Sequence, residues 1–166
     1  LYSEEKKSLS FETLVTLPVT ELQIVAGKYL AAFLSSLIMV APTVLYYFGV
    51  LLFGTPDIGP TICGYLGTVL LCACYSAIGL FASSISKNQI VSFFVGFIIC
   101  IVLTMIDTFL IFMPGPIVAF AQYISAHQHF NSISRGIIDS RDLIYFLSLT
   151  AFFFVITVKT QSSERK

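Results

Sequence analysis

The chain has 166 residues, the length of one domain, and is 57% hydrophobic but only 11% charged, with a mean hydropathy of +0.91. A soluble domain carries about 25% charged residues, so this composition leaves too little polar surface for water and points to the bilayer as solvent. Nine basic against nine acidic residues give zero net charge, which argues against a nucleic-acid binder.

The first segment, residues 3–28, is not a span. The chain opens on Leu1 and not Met, so no signal peptide is expected within it and it is expected to have been cut from something longer. Glu4, Glu5, Lys6 and Lys7 are followed by Phe11, Leu14 and Val15 at helical spacing, which predicts a short amphipathic helix capped by Ser10 and broken by Pro18. Thr20 then opens a second helix, with Gln23 three residues on to complete a capping box. That helix runs past Lys28 into the first apolar stretch, so Leu17-Pro18 forms an elbow.

Four apolar stretches follow: 29–52, 61–83, 90–113 and 143–158. The first three exceed the roughly 20 residues that a helix needs to cross ~30 Å of hydrocarbon. The fourth reaches only about 24 Å at ~1.5 Å per residue, and is expected either to start earlier, near Ser140, or to sit against neighbours where the bilayer is thin. Lipid offers no partner to backbone groups, so these stretches are helices. Pro42 is expected to bend the first, as a hinge or as a fixed kink. Gly54 to Pro60 reads as a compact turn, Ser86 to Gln89 as a polar hairpin, and Pro114-Gly115-Pro116 as a sharp stop. Between the last two spans, residues 115–141 hold Ile117, Phe120, Ala121 and Ile124 at helical spacing, and a second short helix around 127–138 is expected. The fold class is therefore an all-α membrane bundle of about four transmembrane helices, with an amphipathic helix on one side and short helices on the other.

Orientation follows from charge. With the N-terminal segment inside, Lys6, Lys7, Lys28, Lys87, Lys159, Arg165 and Lys166 share one side, and Arg135 and Arg141 the other. The positive-inside rule favours that arrangement.

Within the spans, small residues recur at intervals of four: Gly27, Ala31 and Ser35; Ala73 and Ala77; Ser92 and Gly96. Such faces allow close helix approach, within one bundle or between two subunits, and packing within the bundle is expected. Cys63, Cys72, Cys74 and Cys100 all lie in apolar runs and read as small packing residues. Asp107 is the one carboxylate well inside a span, roughly 9 Å below its outer end. It is a candidate for the substrate path or for a structural hydrogen bond to Thr104 or Thr108. His127 and His129 have no third ligand beside them, so no metal site is expected. No phosphate-binding glycine loop and no nucleophilic triad is present, and no catalytic residue is assigned.

The segment from Ser3 to Val19 resembles the ABC-2 permease family, whose members often read E-[KR]-x-x-G-T-[LI]-E-x-L-L-[TS]-[LTS]-P-V and then G-K at the next span. Glu5, Glu12, Leu14, Thr16, Pro18, Val19, Gly27 and Lys28 match; Leu9 and Ser10 stand where Gly-Thr is common, and Ser10 keeps the capping hydroxyl. Ile78 to Ser84 with Lys87-Asn88-Gln89, Tyr123 to Ser125, His129-Phe130, Arg135-Gly136 and Asp142 to Phe146 are also similar to the family, most of all to its gliding-motility branch. The resemblance covers nearly the whole chain. It implies a partial permease domain over 1–166 that lacks the first two of six spans, in the inner membrane of a bacterium. It implies a separate ABC ATP-binding subunit, a second permease subunit (identical or not), and ATP bound only by the partner. Ser10, Phe11, Glu12, Leu14, Val15 and Pro18 would form the coupling element that meets the ATPase. A secondary transporter or channel is the alternative, but it would need several polar groups at mid-membrane. An intramembrane enzyme would need paired carboxylates or a Ser-His pair there.

Overall fold

The structure is a computed structural model and describes residues 2–3, 20–106, 108 and 122–164. Every regular element among the described residues is helical.

Helix α1, Glu21–Val40, begins as the capping box requires. The Gln23 amide donates to the Thr20 hydroxyl at 3.4 Å, and the Thr20 amide donates to the Gln23 side chain at 3.0 Å. Two orphan donors of the first turn are thereby satisfied. Pro42 interrupts the rod with a 3₁₀ turn over Ala41–Thr43, and the Thr43 hydroxyl donates to the Val40 carbonyl at 2.6 Å. Helix α2, Val44–Phe53, carries the chain on to an extended Gly54. Together these make a largely apolar rod of 33 residues, so the helix that opens at Thr20 runs directly into the first span.

Helix α3, Ile58–Ile85, follows a loop that ends at Asp57, three residues before the expected limit. It is the axis of the bundle, in contact with α1 and with the three helices that come after it. Helix α4, Gln89–Met105, starts on Asn88, whose side chain accepts from the Ile90 amide at 3.0 Å. Its 17 residues rise about 26 Å. The remainder of the expected third span, Asp107 included but Thr108 apart, lies outside the described residues, as does most of the helix expected around Ile117.

Helix α5, Ala126–Ser134, is capped by the Ser125 hydroxyl and stopped at Gly136, which takes φ 88° and donates to the Ile133 carbonyl at 3.0 Å. Only glycine adopts that left-handed conformation without strain. Helix α6, Ser140–Glu164, begins at the expected Ser140 and continues six residues past Val158. Three rods, α1–α2, α3 and α6, are long and apolar enough to cross a membrane, and α4 is the shorter fourth.

Small residues set the spacing. A Cβ on Gly67 would lie 3.3 Å from Ile133 and from the Phe130 ring, so α5 lies directly on α3. A Cβ on Gly96 would lie 3.3 Å from the Ala82 Cβ, so α4 is equally close. The Ser92–Gly96 and Ala73–Ala77 faces are thus used within the bundle. Gly27, Ala31 and Ser35 are not: all three are exposed, and nothing lies within 4 Å of a Cβ on Gly27. Because α1 meets α3 through Val25, Tyr29 and Ser36, its small-residue face turns outward, against the expectation. All four cysteines are free. Cys63 and Cys74 are buried in the core with Ile78, Ala126, Ile133 and Phe146, as packing residues should be.

Candidate functional site

The bundle has two poles. One is formed by the ends at Thr20, Ile85 and Gln89 and by the end of α6; the other by the Gly54–Asp57 loop, α5 and the head of α6. The expected coupling residues Ser10, Phe11, Glu12, Leu14, Val15 and Pro18 lie outside the described residues, and so does Asp107. What the structure does describe is the chain on either side of residues 4–19.

On the near side, Tyr2 is buried with Val25 and Leu80, among Ile24, Tyr29, Phe154 and Val158. The Lys28 ammonium lies 3.8 Å from the centroid of its ring. The Ser3 amide donates to the Ser83 hydroxyl at 3.1 Å, and the two hydroxyls are 3.3 Å apart. On the far side Thr20 is fixed by its capping box. The chain therefore enters residues 4–19 from an anchor on α3 and leaves them into the capped start of α1, at the same pole.

A groove of about 660 Å³ opens between α1, α3 and α4, lined by Ser36, Cys72, Ser76, Ser92, Phe93 and Cys100 among others. Among the described residues that line it none carries a charge. The Ser36 hydroxyl donates to the Ala32 carbonyl at 2.9 Å, and that of Ser92 to the Asn88 carbonyl at 3.1 Å. With their hydrogens engaged in the helix, these hydroxyls offer lone pairs to anything in the groove. Deeper in the bundle, Tyr75 and Thr104 join α3 to α4 by a hydrogen bond between their hydroxyls.

At the opposite pole α5 folds back onto α6. His129 Nδ1 is 2.6 Å from Asp142 Oδ1, with the two side chains 14% and 7% exposed. The ring stacks on Tyr145 at 4.1 Å, and the Tyr145 hydroxyl donates to the Ile124 carbonyl at 2.5 Å. His129 and Asp142 also line a cavity of about 660 Å³ with Gln122, Asp139 and Arg141. In the sequence His129 stands out as a possible metal ligand alongside His127 and as part of the family resemblance. Both lie on α5, where His127 is exposed and the Asn131 amide nitrogen is 3.2 Å from its Nε2. Among the described residues no three His, Cys, Asp or Glu side chains gather as a metal site would need. The pairing with Asp142 had no local signal beyond a polar helix capped by Ser125 and closed by a glycine just ahead of the last span.

A comparison with protein-family models matches residues 2–159 to the ABC-2 family transporter protein model. Neither the curated proteins nor the solved structures gave a match.

Proposed function

The chain belongs to the ABC-2 transporter family, and on that premise we propose that it is the membrane-spanning permease subunit of an exporter driven by a separate ATP-binding subunit. The observation that carries this reading is the double anchorage of residues 4–19. A segment held by Ser3 on Ser83 and by the capped helix at Thr20 delivers a displacement to α3 and α1 together. By spacing Phe11, Leu14 and Val15 would share one apolar face, and Lys6 and Lys7 are offset by Glu4 and Glu5, so anionic lipid would attract it weakly. A groove on a protein partner is the better host for such a face. ATP binds on that partner and hydrolysis occurs there.

The finer parts of the reading follow from it. The pole at Thr20 faces the cytoplasm of a bacterium, on the side richer in Lys and Arg, with the chain in the inner membrane. The exposed face of Gly27, Ala31 and Ser35 suits a second permease subunit. The uncharged groove lies on the cargo path, and Asp107 lines that path further out. The outer segments that resemble the gliding-motility branch extend the proposal to that role, which deletion of the gene in a gliding bacterium would test by loss of movement.

The test of the main reading is a pulldown of the ATP-binding subunit with the reconstituted complex as control. Phe11→Ala and Glu12→Arg weaken the association, whereas Pro18→Ala keeps it and uncouples hydrolysis from transport. In transport assays on the reconstituted complex Asp107→Asn lowers transport, and in the pulldown it leaves the association unchanged. Retention of the ATPase at wild-type affinity by both the Phe11 and the Glu12 variants would remove this segment as the coupling element.

A further inference from the structure

We propose that the groove between α1, α3 and α4 binds an uncharged amphiphile with one alkyl chain and a hydroxyl-bearing head, of which a monoacylglycerol is a simple example.

The floor of the groove is one face of α3. Cys72, Ser76, Gly79 and Ser83 follow one another at helical steps, so they line about 16 Å of the rod. No bulky side chain interrupts that row, and nothing lies within 4 Å of a Cβ on Gly79. Helices α1 and α4 form the walls and scarcely touch each other, so the groove opens sideways between them. Its volume of about 660 Å³ is that of a small-molecule site.

The hydroxyls decide what fits. Ser35 and Ser36 donate to the Ala32 carbonyl at 2.8 and 2.9 Å, and Ser92 donates to the Asn88 carbonyl at 3.1 Å. Ser76 Oγ is 3.4 Å from Ser36 Oγ. With the Ser36 hydrogen on Ala32, Ser76 is the donor of that bond. All four hydrogens are thus engaged inside the protein, and each oxygen keeps a lone pair. A ligand hydroxyl that donates to these oxygens gains a bond and breaks none. A ligand that only accepts must first turn a hydroxyl away from its partner, exchanging one bond for another. The thiols of Cys72 and Cys100 are weak donors, and Gln89 is exposed at the rim.

Charge narrows the class further. An anion finds no cation among the described lining residues, and a cation finds no carboxylate. Either would give up water for an uncompensated place at membrane depth. A neutral head gives up no such charge solvation. Phe93 and Phe97, stacked at 5.7 Å on the α4 wall, offer the alkyl chain an apolar surface. Only the further step, that the bound molecule is cargo, rests on the export path proposed above.

Photocrosslinking of the full-length protein in phosphatidylcholine nanodiscs, without the ATP-binding subunit, reads binding alone. A failed pulldown of that subunit therefore leaves the result standing. The probe is a monoacylglycerol with a diazirine in its chain. Saturable labelling is expected on peptides of α1, α3 and α4. Unlabelled monoacylglycerol should displace it at a concentration about tenfold lower than lysophosphatidic acid of the same chain, which is anionic, or the matching alkylammonium. Gly79→Phe fills the floor and should reduce the labelling about tenfold. Ser36→Ala combined with Ser76→Ala removes both ends of one bond, strands no partner, and should weaken monoacylglycerol about fivefold without changing displacement by lysophosphatidic acid. Equal displacement by the three lipids overturns the proposal. So does labelling that survives both sets of substitutions, or the absence of saturable labelling on these helices, as when another segment of the full-length protein fills the groove.

Discussion

The Lys28 ammonium sits over the ring of Tyr2, 3.8 Å from its centroid, and so ties the chain before residues 4–19 to the helix after them. Beside it, Ser3 is held by Ser83. Ser83→Ala leaves the Ser3 amide without that acceptor and should cost about 1 kcal/mol. Lys28→Gln removes the cation from the ring and should cost about 0.5–2 kcal/mol, depending on how far the site is desolvated. Thermal unfolding of the purified protein measures both. The double variant should lose roughly the sum if the two contacts are independent.

Close packing of α4 on α3 makes a sharper prediction. Gly96→Leu drives a side chain into Ala82 and Gly79, and should destabilise by about 1–3 kcal/mol. Gly64→Ala is the control, on the same helix as Gly67 but with nothing within 4 Å of its Cβ. It should be neutral or stabilising by up to ~1 kcal/mol, the helix preference of alanine over glycine. Equal effects of the two variants would show that the small-residue face does not set the helix spacing.

Topology is checked by single cysteines in the cysteine-free background. A cysteine at Lys87 should react with an impermeant reagent only from the cytoplasmic side, and cysteines at Asp57 and Arg135 only from outside. Labelling of position 87 in intact cells would reverse the orientation and with it the side proposed for the ATP-binding subunit.

The parts of the fold that depend on local chemistry were legible in the sequence. The Thr20–Gln23 box, the Asn88 turn, the break at Pro42 and the start of α6 at Ser140 each follow from residues within a turn or two of the event. The His129–Asp142 pair was not legible. Its members are 13 positions apart and meet only because Gly136 lets the chain reverse between two helices. The outward face of Gly27 was misread for a similar reason: spacing says which residues share a face, not which neighbour that face meets. The seat of α5 on Gly67 and the burial of Tyr2 likewise depend on contacts between segments remote in sequence, which no periodicity encodes.

The 3₁₀ turn at Ala41–Thr43 has a mechanical consequence. A helix resists axial load through its unbroken ladder of hydrogen bonds, and Pro42 removes a rung. A push at Thr20 therefore loses stiffness 20 residues along, before it reaches α2. Beside that weak joint runs α3, 28 residues without a break, which α1 grips through Val25 against Leu80 and through Tyr29 donating to the Ala73 carbonyl at 3.3 Å. If residues 4–19 take up force as proposed, α3 would carry it toward Gly67, where α5 rests. In that proposal α1 is the handle and α3 the shaft.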